Sequence, residues 1–139
     1  MTTSFNRISR QNVLKHAPRL IFGLLFAASG LSKLLLPGDV LMQSYGSGAA
    51  FMSSLQDTGY LFVLLAVTEI IAGLAVLLNR YVPLALIVLA PIVVNIAGFH
   101  FFVNVDAAGI VTALVVMGLE LYLAWRYRDI FAPLLRATA

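Results

Sequence analysis

The sequence predicts an all-α integral membrane protein, built as a four-helix bundle with both termini in the cytoplasm. Its 139 residues are 61% hydrophobic and 11% charged, whereas soluble domains carry about 25% charged residues. Four long apolar runs divide the chain, and the basic residues cluster in three of the segments outside these runs. The length corresponds to a single domain over residues 1–139.

The four apolar runs define the predicted spans. Each is close to the roughly 20 residues that cross about 30 Å of hydrocarbon as a helix. Lipid offers the backbone no hydrogen-bond partners, so the spans must be helical. Pro18 and Pro83 are expected in first helical turns, where a missing N–H is tolerated. The spans cover residues 19–36, 60–78, 82–103 and 107–125.

The first run is interpreted as a retained span and not as a cleaved signal peptide. It is longer than the usual apolar core of a signal peptide, it contains Lys33, and no small-residue cleavage site follows it. The basic segment 1–18 precedes it. That segment either lies on the inner leaflet with Phe5, Ile8 and Val13 inserted or is disordered.

The distribution of charge predicts the topology. Eight of the nine Lys and Arg residues lie in segment 1–19, in the turn at Arg80, or after residue 125. The connections 37–59 and 104–106 contain Asp but no Lys or Arg. By the positive-inside rule, both termini are cytoplasmic. We therefore expect a multi-pass protein of the plasma (inner) membrane.

The long connection, residues 37–59, is expected to be an external loop. Phe51, Met52 and Leu55 fall on one side of a helix drawn through it, with polar residues on the other. This pattern predicts a short amphipathic helix on the outer membrane surface, and an irregular loop is the alternative.

Four polar residues inside the spans are the candidate ligand-binding residues: Lys33, Glu69, Asn95 and His100. An ionisable residue in a span costs about 2.5–3.5 kcal/mol on insertion. Helical rise places Lys33 and His100 roughly 6 Å below the outer boundary, and Glu69 and Asn95 roughly 13 Å below it. One interpretation is a structural Lys33–Glu69 ion pair. The other is a polar pocket that opens outwards and binds a ligand.

Asn95 and His100 are five residues apart, about 140° around an α-helix. They can face one ligand only if the helix is distorted, and Pro91 offers a cause because it removes a backbone hydrogen bond near Ile87. Glu120 lies in the inner half, about one turn from Tyr122 and Arg126, and is interpreted as structural.

Small residues predict close helix contacts, since they let backbones approach in lipid. The candidates are Gly23, Ala27, Gly30 and Gly73.

The residue inventory excludes several chemistries. The chain contains no cysteine, and one intramembrane histidine cannot supply a bis-histidine haem. His100 and Glu69 are too few for a zinc site, so no metal site is predicted. No basic face suited to nucleic acid occurs, and no catalytic residue is assigned.

Three segments resemble DoxX-type membrane proteins: "GLSKLLLPG", "AVTEIIAGLAVLL" and "PIVVNIAGFHFFVN". The resemblance extends from Arg19 to Trp125, and the succession of Lys33, Glu69 and His100 in three spans is its most telling part. It implies a four-helix membrane bundle related to a subunit associated with a thiosulfate:quinone oxidoreductase. Relatives are tied to oxidative or sulfur stress, and more distant ones resemble chaperones.

Two functions follow as hypotheses. In the first, the protein is a small membrane subunit of a quinone-linked redox system. Lys33 and His100 donate hydrogen bonds to a quinone, and Glu69 relays protons. In the second, a non-catalytic scaffold or chaperone binds a lipid or a partner membrane or redox protein. No cofactor is encoded by the chain itself, and both hypotheses allow a homo-oligomer. A transporter is a weaker third option, because four short spans are few for alternating access.

Overall fold

The structure, a computed structural model, describes the backbone of residues 2–135 and the side chains of residues 16–133. The described backbone is helical and contains no strand. A 3-10 turn at Gly46–Gly48, a π turn at Phe99–Val103 and a 3-10 turn at Ala132–Leu135 interrupt or end the α-helices. The α-helices are α1 (Thr2–Leu35), α2 (Gly38–Ser44), α3 (Ala49–Asp57), α4 (Leu61–Leu77), α5 (Val82–Gly98), α6 (Ala107–Arg126) and α7 (Arg128–Phe131).

The four long helices contact one another in a closed order: α1 packs on α4, α4 on α5, α5 on α6, and α6 on α1. Segments His16–Leu35, Val82–Val103 and Ala107–Arg126 are long and apolar enough to cross a membrane. A fourth span results if α4 is counted with the segment Gly46–Asp57, from which it is bent by 99°.

The long helices expose many large apolar side chains, which is unfavourable in water. Leu35 is 75% exposed, Val94 70% and Phe102 84%. Large contiguous apolar surface marks contact with a membrane or a partner. Together with the candidate spans, it makes this chain a multi-pass membrane protein.

The start of α1 differs from the prediction. The segment 1–18 was expected to be separate from the first span, but the helix is continuous from Thr2 to Leu35, and Pro18 lies inside it and not in a first turn. A proline within a helix removes one backbone hydrogen bond, and here that loss does not interrupt the helix. Pro83 does lie in the first turn of α5, as predicted.

Short turns with unusual backbone angles separate the helices. Gly59 has φ +79°, a conformation that glycine adopts without a Cβ penalty. Beside it, the Thr58 hydroxyl accepts a hydrogen bond from the Leu61 N–H at 3.1 Å, which caps the first turn of α4. Asn79 and Tyr81 also have positive φ and form the tight turn between α4 and α5.

The connection 37–59 contains two helices where one was predicted. The helix α3 (Ala49–Asp57) corresponds to the expected amphipathic segment, and Met52 on it is buried. The helix α2 was not anticipated, and its Leu41 is buried. Leu41 and Met52 therefore face protein, whereas Phe51 on the apolar side of α3 is 45% exposed.

The closest helix contact is between α1 and α4, and it runs along the predicted small residues. A Cβ placed on Gly73 would lie 2.5 Å from the Ala27 backbone nitrogen. One on Gly30 would lie 2.5 Å from the Ala66 carbonyl oxygen, and one on Gly23 would lie 2.8 Å from that of Gly73. The two backbones therefore touch, and no side chain can yield to make room.

We expect Gly73→Ala to destabilise the protein by about 1–3 kcal/mol, because overpacking here pushes on backbone atoms. The measurement is thermal or denaturant unfolding in detergent. Gly118→Ala is the matched control, since a Cβ there meets nothing within 4 Å and alanine favours a helix by up to about 1 kcal/mol. Equal stability of the two variants would contradict the close backbone contact.

Candidate functional site

One large cavity lies beneath α2 and α3, between the long helices. Its volume is about 740 Å³, and we call it the main cavity. Apolar side chains form most of its wall, and Phe51, Met52 and Leu55 of α3 cover it. The polar lining comprises Ser29, Ser32, Lys33, Ser44, Tyr45, Thr68, Glu69, Asn95, His100, Asn104 and Thr112.

Lys33 and Glu69 form a buried ion pair in this cavity. The Lys33 Nζ lies 2.6 Å from the Glu69 Oε2, and the side chains are only 6% and 2% exposed. The same ammonium donates to the Ser29 hydroxyl at 2.7 Å and contacts the Ser29 carbonyl oxygen at 3.5 Å. Because an ammonium has three N–H donors, these contacts engage all of them within the protein.

The position of the pair follows from the α1–α4 contact. Lys33 lies one turn beyond Gly30 on α1, and Glu69 lies one turn before Gly73 on α4. The glycines bring the backbones together, so two side chains from different helices meet over a short distance.

Tyr45 is a cavity residue that the sequence did not suggest. It ends α2, outside every predicted span, and hydropathy gives no sign of it. Burial, and secondly the negative charge of Glu69, raise the pKa of Tyr45 from 10.0 to about 12. Tyr45 lines the same cavity as the ion pair. No hydrogen bond among the described side chains engages its hydroxyl, which is therefore available to a ligand.

Asn95 and His100 both line the main cavity, although an ideal helix would separate them. The departure from α-helical geometry is the π turn Phe99–Val103, in which the Asn104 N–H donates to the Phe99 carbonyl at 2.8 Å. Pro91 was the expected cause, but α5 continues through it. A π turn changes the register of the side chains, as is frequent at functional sites.

The two residues differ in what they contact. The Asn95 amide donates to the Pro91 carbonyl on its own helix at 2.8 Å. His100 packs edge-on against Phe99, with ring centroids 5.2 Å apart, and its Nδ1 is buried without a partner among the described residues. No hydrogen bond in that part of the chain joins either residue to Lys33 or Glu69.

Gly109 explains the position of the histidine ring. A Cβ at Gly109 would overlap His100 Nδ1 and lie 2.8 Å from Asp106 Oδ2. The ring therefore fits against the first turn of α6, which Asp106 caps by accepting the Gly109 N–H at 2.7 Å.

Glu120 belongs to neither group of cavity residues. It is buried on α6, but its Oε2 has no partner among the described residues, whereas a structural glutamate with its hydrogen bonds satisfied was expected. In the same part of the chain, no three His, Cys, Asp or Glu side chains come together as a metal-binding group.

A comparison with protein families decides the identity. The sequence model of the family described as DoxX matches residues 14–105, about two thirds of the chain. The chain belongs to the DoxX family. The matched region of this DoxX protein contains Lys33, Glu69, Asn95 and His100, and it ends before α6. Searches of curated proteins and of solved structures found no match.

The buried ion pair of this DoxX protein predicts strongly non-additive mutations. We expect Glu69→Leu to destabilise it by about 3–5 kcal/mol, because Lys33 then remains buried without its counter-charge. The double variant Lys33→Met with Glu69→Leu should recover most of that loss, since no buried charge is left. Unfolding of the wild type, both single variants and the double variant measures the coupling. Additive losses would contradict a direct pair.

Proposed function

We propose that this DoxX-family protein is a small membrane subunit of a quinone-linked redox system, of the kind used in oxidative or sulfur stress, and that its main cavity binds the quinone. The main support is the cavity itself. Ligand sites are typically 300–1,000 Å³, mostly apolar, with a few polar groups that fix orientation. A volume of about 740 Å³ with free polar groups among apolar walls fits that description.

The residues present suit a quinone, which is a flat apolar ring with two carbonyl acceptors. The apolar wall accepts the ring. The Tyr45 hydroxyl and the His100 Nε2 have no hydrogen bonds among the described side chains, so they can donate to the carbonyls, whereas His100 Nδ1 is packed against Gly109. A bound quinone supplies the redox chemistry, and the chain binds and orients it.

The contacts reassign the role of Lys33. It was expected to donate to the ligand, but its donors are engaged by Ser29 and Glu69. In the proposal Lys33 holds the Glu69 carboxylate in the cavity, and Tyr45 takes over as hydrogen-bond donor. Glu69 accepts a hydrogen bond from Lys33 at Oε2 and none from the other described residues at Oε1, so Oε1 can accept a hydrogen bond from a ligand hydroxyl.

We expect Tyr45→Phe to weaken binding of a short-chain quinone analogue about three- to tenfold, because one neutral hydrogen bond contributes about 0.5–1.5 kcal/mol. Binding is measured by titration of the purified protein in neutral-lipid nanodiscs. His100→Ala and Glu69→Gln should also weaken it. Tyr60→Phe is the matched control, since Tyr60 is 63% exposed and lies outside the cavity lining.

An unchanged affinity in Tyr45→Phe, His100→Ala and Glu69→Gln would contradict the quinone proposal. Absence of any binding by the folded wild-type protein would also contradict it. Tyr45→Phe is the most informative variant, because it removes only a hydroxyl and leaves the ion pair intact.

A second candidate function is a non-catalytic scaffold or chaperone for a lipid or a partner membrane protein. One observation favours it: all three Lys33 donors are satisfied inside the chain, as in a purely structural pair. Copurification from native membranes followed by mass spectrometry distinguishes the two functions. A quinone supports the first, and a stoichiometric protein without a quinone supports the second.

We further propose that α1, α4, α5 and α6 form a four-helix transmembrane bundle in the inner membrane, with both termini cytoplasmic. The closed order of helix contacts supports the bundle. Residues Arg19, Asn79 and Arg126 line one small cavity, so the three basic segments meet at one end. The positive-inside rule makes that end cytoplasmic, and the α2–α3 end then faces outwards.

The absence of native cysteines permits a direct test of this topology. In intact cells of a bacterial host, we expect a membrane-impermeant maleimide to label Gln56→Cys on α3. It should label Asp129→Cys on α7 only after the membrane is permeabilised. Both positions are exposed, so access depends on the side of the membrane. The reverse labelling pattern would contradict cytoplasmic termini.

A further inference from the structure

A second, smaller cavity lies at the opposite end of the long helices from the main cavity. Its volume is about 120 Å³, and we call it the basic cavity. The N-terminal part of α1, the turn between α4 and α5, and the end of α6 converge on it. Its lining is His16, Arg19, Asn79, Leu123, Arg126 and Tyr127.

The described lining residues carry positive charge and include no acidic residue. Two guanidinium groups and an imidazole face one small volume. The ion pairs found among the described side chains are Lys33–Glu69 and Arg128–Asp129, so no carboxylate in that part of the chain neutralises Arg19. A concentrated charge of one sign in a partly enclosed space attracts an anion.

Arg19 also has an unused donor inside the protein. Its Nε is buried and has no hydrogen-bond partner among the described residues. Leaving a buried donor of a charged group without a partner is unfavourable, and native proteins satisfy the great majority of such groups. A bound acceptor would remove this deficit.

Asn79 completes the set of donors. Its Oδ1 is the acceptor for the Tyr127 hydroxyl at 3.5 Å, which leaves the amide N–H groups for a ligand. The cavity is far larger than the roughly 10–15 Å³ that one water needs. It therefore has room for a tetrahedral oxyanion.

We propose that the basic cavity, which Arg126 also lines, binds a phosphate group through Arg19 and Asn79. Arginine is well suited to phosphate because its planar fork donates two parallel hydrogen bonds. Basic pockets between transmembrane helices bind the head groups of anionic lipids in this way. The phosphate is either that of an anionic phospholipid or a free anion. The proposal does not depend on what the main cavity binds.

The test uses full-length protein in micelles of dodecyl maltoside, a detergent without a phosphate group. Phosphatidylglycerol is added to the micelles in one arm, and inorganic phosphate to the buffer in the other. Thermal unfolding reports binding, because a ligand of the folded state raises the melting temperature. Native mass spectrometry counts retained lipids. Stabilisation only by the lipid identifies a head-group site, and stabilisation by phosphate alone identifies an anion site. Stabilisation by neither overturns the proposal.

Arg19→Gln should weaken the bound phosphate about tenfold or more, the size expected for a charge-assisted hydrogen bond. Arg128→Gln is the matched control. It removes the same charge from the same end of the protein. Arg128, however, does not line the basic cavity, and its guanidinium carbon lies 4.8 Å from the centroid of the Trp125 ring, on which it stacks. Equal losses in the two variants would overturn the proposal, because they would indicate diffuse surface attraction.

Arg19→Lys keeps the test decisive if Arg19→Gln is poorly folded. It preserves the charge and removes the forked donor, so we expect weaker but measurable binding. An affinity equal to that of the wild type in a folded Arg19→Lys protein would contradict a role for the buried Nε.

Discussion

The contact between α1 and α4 is the constraint on which the rest of the structure depends. Glycine at positions 30 and 73 lets two backbones touch, and only at that separation do Lys33 and Glu69 meet at 2.6 Å. Both side chains are almost fully buried, so the pair is stable only while both charges are present. The pair in turn holds a carboxylate in an apolar cavity, where it acts on Tyr45 from a different part of the chain.

The helices α2 and α3, with the 3-10 turn Gly46–Gly48 between them, form the roof of the main cavity. Phe99 connects this roof to the cavity wall. Its ring lies 6.1 Å from that of Tyr45, 5.8 Å from that of Phe51 and 5.2 Å from that of His100, measured between centroids. A Cβ on Gly48 would overlap the Phe99 ring, so the 3-10 turn of the roof fits directly against it. Aromatic pairs of this kind contribute about 0.5–1.5 kcal/mol beyond area burial. The position of the roof and the position of the His100 ring are therefore coupled through the side chain of Phe99.

Hydropathy and proline placement predicted the third and fourth long segments to within one residue: Val82–Val103 and Ala107–Arg126 against 82–103 and 107–125. A Lys33–Glu69 ion pair was one of the two interpretations that the sequence allowed, and the structure contains it. The π turn could not be predicted, because it depends on tertiary packing around His100 and Gly109. Tyr45 was missed for a related reason, since only the folding of α2 and α3 over the long helices brings it near Glu69. A continuous α1 was missed because a charged, polar segment carries little hydropathy signal.

The shortness of α4 has a consequence for the lipid around the protein. With 17 residues it spans about 25 Å, less than the roughly 30 Å of hydrocarbon, whereas the segment Val82–Val103 has 22 residues. If α4 crosses the bilayer as in the proposed four-helix bundle, the bilayer must thin on the α4 flank, or α3 must lie at the level of the acyl chains. Either adjustment produces hydrophobic mismatch on one side of the molecule only. In that bundle we expect membrane thickness to act on the turn at Gly59, so that a thicker bilayer strains the α3–α4 corner first.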